Sequence, residues 1–327
     1  MKPTVAVLPV AQHEYVRAIA LGGGIAADLS SQSTGLVWTD SQDVAQLDAI
    51  LAAHPQITWV QLPFAGVDNF KPLFDSISSS GRKLVFTSAK GAYREPVAEH
   101  ALMLALALGR ALPERLAAKT WGGKFAASLF DSKVLIVGGG GIAEELLRLL
   151  APFRVDATVV RRAAKPLAGA NRVIGLGELD ANLPTADFVF LASALTAETK
   201  GLFDASRFAL MKPTAYLINI ARGAIVDSNA LEQALVKGEI AGAGIDVTDP
   251  DPLPDGHSLW NTPNLIIKRL KNSASSSGSL ARGIQIVPVF DWSLYSSLMP
   301  RWVTKISTPP VLLRSMRVRN LSRSLDE

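Results

Sequence analysis

Over the first 267 positions the apolar residues fall into two recurring patterns: short continuous runs, and stretches in which they return every three or four residues. VAVLPV (5–10), ITWVQLP (57–63) and KLVFT (83–87) are runs of strand length. SQDVAQLDAILAAH (41–54) places Val44, Leu47, Ile50 and Leu51 on one helical face, with Ser41 as the expected N-cap. Strands alternating with a helical pattern predict a small α/β unit with a parallel sheet. PVAEHALMLALALGR (96–110) is apolar on most sides but contains Glu99 and His100. Its apolar run is too short to cross a bilayer, so it reads as a buried helix, part of a long one near 94–112 that ends the unit.

A second series then begins. KVLIVG (133–138), ATVVRR (157–162), DFVFLA (187–192), AYLINIA (215–221), GAGIDV (242–247) and NLII (264–267) are short and apolar throughout, with helical segments such as IAEELLRLL (142–150) and NALEQALVKG (229–238) between them. Strands buried on both faces and joined by crossover helices make a doubly wound parallel sheet. The fold class expected is α/β, with two Rossmann-like units, the first flavodoxin-like. The boundaries expected are 1–100, 101–270 and a tail over 271–327.

The alternation stops after Ile267. Residues 273–279 read SASSSGS, and 12 of the last 60 residues are serine. Neither WSLYSSLMPRW nor STPPVLLRS holds a period of 2 or 3.6. Such a tail is expected to be disordered, or to come from a shifted reading frame.

Charge follows the same division. The 327 residues carry a net +4, yet residues 268–327 alone hold 10 Lys and Arg against 3 acids. The body before them is mildly acidic. This argues against a nucleic-acid partner, since no RNP, zinc-finger or helix-turn-helix pattern accompanies the basic tail. There is no cysteine, which excludes disulfides and thiolate chemistry. His13, His54, His100 and His257 are scattered without metal-ligand spacing, so no metal is expected. The N-terminus reads as a first strand rather than a leader, and a cytoplasmic protein with no membrane partner is expected.

VLIVGGGGIAEELL is a strand, a glycine turn and a helix in succession, and fits GxGxxA at Gly138, Gly140 and Ala143. Gly138 permits the turn, Gly140 lets backbone approach a pyrophosphate, and Ala143 lets helix and strand pack closely. Phosphates would sit on free N–H groups at Gly140, Gly141 and Ile142. The alternative is a purely structural turn. At the tip of the next strand stand Arg161 and Arg162, with no acid to take a ribose 2′-OH. Two guanidiniums favour the 2′-phosphate of NADP over NAD, although NAD remains the other option and the pair could be two solvated side chains.

LINIARGAIVDSNALEQAL followed by GAGIDVTDPDPLP, with the glycine loop and ALTAETKGLF, resembles the D-isomer-specific 2-hydroxyacid dehydrogenase family over residues 1–267. Phosphoglycerate dehydrogenases and glyoxylate or hydroxypyruvate reductases belong to it. The resemblance implies a substrate domain, then a cofactor domain, an active site in the cleft between them, and usually a homodimer through the long helix. It implies hydride transfer between NADPH and a small 2-keto or 2-hydroxy acid. Arg222 is expected to bind the substrate carboxylate and carbonyl, Ala65, Gly66 and Val67 to offer N–H groups to that carboxylate, and Asp246 to accept from the nicotinamide carboxamide. Ala194 and Ile220 fall at further cofactor positions, and Tyr93 of KGAYREP would shape the pocket. The family's catalytic Glu falls on Asp251, one methylene shorter. Its general-acid histidine, in a TPH sequence after the NLII strand, falls on Leu270. Lys268 and Lys271 stand nearby, with no feature that would lower a lysine pKa. The second expectation is therefore a non-catalytic NADP(H)-binding protein with a basic interaction tail.

Overall fold

The computed structural model describes residues 2–123 and 126–267, together with the backbone of Val287–Pro288. Leu270 and, apart from that dipeptide, the tail expected over 271–327 lie outside the described residues. The chain forms two compact units. Among the described residues the first holds those up to Pro63, Ile77–Ser88 and the Val287–Pro288 backbone, and the second holds Phe64–Ser76 and residues 89–267. No helix among the described residues is long and apolar enough to cross a membrane, and no cluster of three His, Asp or Glu is placed to hold a metal ion among them.

The first unit runs β1 (Thr4–Leu8), α1 (His13–Leu21), β2 (Ile25–Ala26), β3 (Gly35–Trp38), α2 (Val44–Ala53) and β4 (Trp59–Gln61). The chain then passes through α3 (Lys71–Ser79), which begins in the second unit, to β5 (Val85–Ser88). These five strands are parallel in the order β5-β4-β3-β1-β2, the flavodoxin-like order. The backbone of Val287–Pro288 pairs antiparallel with β5. Gly35 is required at its place in β3, because a methyl there would come within 2.8 Å of the Trp59 ring. That indole in turn donates to Thr87 Oγ1 at 2.9 Å, and the Thr87 hydroxyl donates to Gln61 Oε1 at 2.7 Å.

Helix α2 starts later than expected. The Asp40 carboxylate accepts from the N–H groups of Gln42 and Asp43, which holds residues 40–43 in a turn. Asp43 rather than Ser41 is the N-cap, accepting from Gln46 N at 2.8 Å.

The second unit contains α4 (Arg94–Gly109), α5 (Leu112–Ala117), β6 (Lys133–Val137), α6 (Gly141–Leu150), β7 (Asp156–Val160), β8 (Arg172–Ile174), α7 (Leu179–Asn182), β9 (Phe188–Leu191), α8 (Ala205–Leu210), β10 (Tyr216–Asn219), α9 (Ser228–Lys237), β11 (Gly242–Ile245) and β12 (Leu265–Ile267). The expected helix near 94–112 is divided, because Ala111 takes a left-handed conformation (φ +50°) between α4 and α5. β7 opens at Asp156, one residue before the apolar run 157–162.

All seven strands of this unit are parallel, in the order β12-β11-β10-β9-β6-β7-β8. Alternate residues of each strand enter different cores. Val134, Ile136, Phe188, Phe190 and Ile218 pack with α4 and α6. Leu135, Val137, Val189, Leu191 and Leu217 pack with Leu179, Phe208 and Leu231 on the other face. Burial on both sides explains the unbroken apolar runs. β6 lies between β7 and β9, where the strand order reverses, so the loop leaving β6 is the topological switch point.

Candidate active site

The loop from β6 into α6 is built on close approach. Gly138 has φ +114°, and a methyl on it would come within 2.7 Å of the backbone nitrogen of Ser193. A side chain cannot be accommodated there, so the residue type is dictated by the fold. Gly140 is the N-cap of α6 and offers no side chain to it. The N–H groups of Gly141, Ile142 and Ala143, in the first turn, make no hydrogen bond among the described residues and lie at the positive end of the helix dipole. Ala143 is fully buried against the sheet.

Arg161, just past the end of β7, folds back over this loop. A methyl on Gly139 would stand 2.9 Å from its Cδ and 3.1 Å from its Nε. Arg162 is exposed. The loop, the open helix end and a guanidinium lying across Gly139 fit a dinucleotide. Ala194 lies exposed beyond β9, with its carbonyl accepting from Thr199 Oγ1 at 2.8 Å, and Ile220 is buried past the end of β10.

A second constellation forms at Arg222. Buried Asn219, the last residue of β10, accepts from Ala221 N at 3.1 Å and donates to Arg222 O at 3.0 Å, which shapes the turn that projects the arginine. Gly223 follows because its Cα lies directly against the backbone of Thr248 and Asp249, where any Cβ would collide. The guanidinium donates from Nη1 to Ala221 O at 2.7 Å and from Nε to Asp68 Oδ2 at 3.0 Å. Its Nη2 end covers Gly66, and a methyl on that glycine would occupy its place.

The structure thus brings Gly66 and Arg222 together. The N–H groups of Ala65, Gly66 and Val67 donate to nothing among the described residues. Ala89 N donates to Phe64 O at 3.2 Å, and the Phe64 and Tyr93 rings lie 6.5 Å apart, which places Tyr93 beside this loop. Open amides beside a guanidinium are groups that can hold an anion such as a carboxylate.

Asp246, one residue past β11, is tethered by its own N–H to Asn219 O at 2.9 Å. Its Oδ1 lies 3.3 Å from His100 Nε2 on α4. Asp251 is exposed and makes no ion pair among the described residues, so it is not joined to Arg222. Asp68 and His100 were not assigned to the site from sequence. Asp68 directly follows Val67 in PFAGVDN (63–69), so an acid beside an expected anion loop was the available signal. His100 reads as one polar residue on an apolar helix, and only the fold brings it to Asp246.

Residues 101–268 match the family model described as D-isomer specific 2-hydroxyacid dehydrogenase, NAD binding domain. Human glyoxylate reductase/hydroxypyruvate reductase is 32% identical over 271 residues, with 79% of this chain and 77% of that protein covered. Glyoxylate/hydroxypyruvate reductase B of Escherichia fergusonii is 35% identical over 228 residues, covering 67% and 69%. A crystal structure of a D-isomer specific 2-hydroxyacid dehydrogenase family protein from Aeromonas salmonicida aligns with a TM-score of 0.68 at 27% identity, over 82% of this chain and 89% of that one.

Proposed function

The chain belongs to the D-isomer specific 2-hydroxyacid dehydrogenase family, whose members use NAD(P), and from that premise we propose that it is an NADPH-dependent reductase of small 2-keto acids with a weakened proton-transfer step. The observation that carries the substrate class is the Arg222 guanidinium seated over Gly66, beside three open backbone amides. The amides of Ala65–Val67 receive the keto-acid carboxylate. Arg222 holds the carboxylate and the carbonyl, and its charge stabilises the alkoxide that develops there. Asp246 accepts from a nicotinamide carboxamide. Arg161, lying over Gly139, selects the 2′-phosphate. A reduced nicotinamide, when bound, supplies the hydride.

The alkoxide also needs a proton. Leu270 stands where the family resemblance places the general acid, and leucine has no proton to give. Loss of a positioned acid costs about 10²- to 10⁴-fold. Set against a median enzyme, turnover is then on the order of 10⁻³ to 10⁻¹ per second.

The test is NADPH binding and NADPH oxidation by the purified chain with glyoxylate or hydroxypyruvate. Binding with slow turnover supports this reading. Binding with no turnover favours the second one, a non-catalytic NADP(H)-binding protein, for which Leu270 is the specific observation. Failure to bind either nucleotide removes both.

A further inference from the structure

Gly141 opens α6 without a side chain, and the space beside it is filled from another element. A methyl on Gly141 would stand 3.8 Å from both Cβ and Cδ of Arg94, the first residue of α4. The stem of Arg94 therefore runs alongside the open end of α6. Its guanidinium is exposed and makes no hydrogen bond or ion pair among the described residues. Its charge reaches Glu145, one turn into α6, but that carboxylate is already hydrogen-bonded by Arg148, the larger cause of its lowered pKa.

Arg94 sits at the positive end of its own helix and beside the positive end of α6, and a helix N-terminus disfavours positive charge. Glu95 and Glu144 stand in the same two first turns and Glu145 is within reach, so what sets this place apart is an exposed guanidinium beside open helix-end N–H groups, an arrangement that an anion with more than one charge can bridge. A dinucleotide pyrophosphate is such a group, and the glycine loop admits its backbone approach at this position.

We propose that Arg94 contacts the pyrophosphate of the bound dinucleotide from the α4 side of the glycine loop, a cofactor-binding residue supplied from outside the loop-and-helix motif. The inference rests on the dinucleotide reading of that loop. The two arginines then serve different parts of the cofactor. Arg94 acts on NADPH and NADH alike, because both carry the pyrophosphate, whereas Arg161 acts only on the 2′-phosphate.

The experiment is equilibrium binding of NADPH and of NADH, followed by nucleotide fluorescence, to the full chain and to Arg94→Ala, Arg94→Lys and Arg161→Ala. Arg94→Ala is expected to weaken both nucleotides by the same factor, about tenfold or more for a lost charge-assisted contact. Arg94→Lys recovers part of that loss, and Arg161→Ala weakens NADPH alone. Melting curves show whether each variant is folded, and Arg94→Gln, which keeps the stem against Gly141, replaces the alanine variant if that one melts low. Arg94 variants that bind both nucleotides as the parent does, or lose NADPH only, overturn the inference while leaving the dinucleotide site standing. A parent chain that binds neither nucleotide overturns that site, and this inference with it.

Discussion

A single methyl group on Gly66 would take the place of the Arg222 guanidinium. Gly66→Ala is therefore expected to raise the KM of the keto acid, or its Kd where turnover is too slow to follow, by about tenfold or more, the worth of a lost charge-assisted contact. NADPH binding should be unchanged, and a parallel loss of NADPH affinity would show that the loop does something else. Gly223→Ala is a different case. Its Cβ would meet the backbone at Thr248–Asp249, which cannot rotate away, so the expected effect is on stability, a loss of about 3 kcal/mol read by urea denaturation. What was legible at this scale followed sequence distance. The glycine loop is contiguous, and its residues could be named from local context. Arg222 could be named too, but its partner Asp68 lies 154 residues away, and His100 meets Asp246 only through the packing of α4. No local pattern encodes either pairing.

Among the elements, the central strands were readable because burial on both faces leaves few polar positions in them. Their ends were not, because the last residues of an apolar run leave the sheet wherever the hydrogen-bond ladder stops. β3 was missed altogether. Its GLVW is only four residues long and follows a Ser-, Thr- and Gln-rich stretch that reads as loop. The small residues of β11 have a packing reason. A methyl on Gly244 would stand 3.1 Å from Leu104 Cβ and 3.3 Å from Leu108 Cδ1, so α4 lies as close to this strand as glycine permits. Gly244→Val should cost about 1–3 kcal/mol through overpacking, measured as a shift of the urea midpoint. On α6, the hydrogen bond from Arg148 holds the Glu145 carboxyl below its ordinary value, with the Coulombic effect of Arg148 adding to it. A depressed carboxylate contributes stability above its unfolded pKa and loses that contribution as pH falls through the folded one. Glu145→Gln should thus lower the urea midpoint near neutral pH, and the difference should shrink as the pH falls through the folded-state pKa and the parent carboxylate takes up a proton.

At the scale of the whole chain, the family and both sheet topologies could be anticipated from motif order, while the change after Ile267 reads as a departure from it. If the tail arose by a shifted frame, the nucleotide sequence beyond codon 267 will encode, in another frame, a histidine two residues after a threonine and then helical text. Leu270→His alone should restore little turnover, because the segment that follows is altered too. Full turnover in that single variant would refute this account. Met103, Leu106, Leu112, Leu116 and Trp121 are exposed on and after α4, and the homodimer that we propose through the long helix is testable by sedimentation. The path of the chain has one more effect. It crosses between the units after Pro63, Ser76 and Ser88 within the described residues, and α3 belongs partly to each. A protease cutting any one of these connections would leave at least one piece that contributes chain to both units. Nor can the amino-terminal unit finish folding on the ribosome until β5 has emerged, with residues 64–76 already made and waiting for a sheet not yet synthesised.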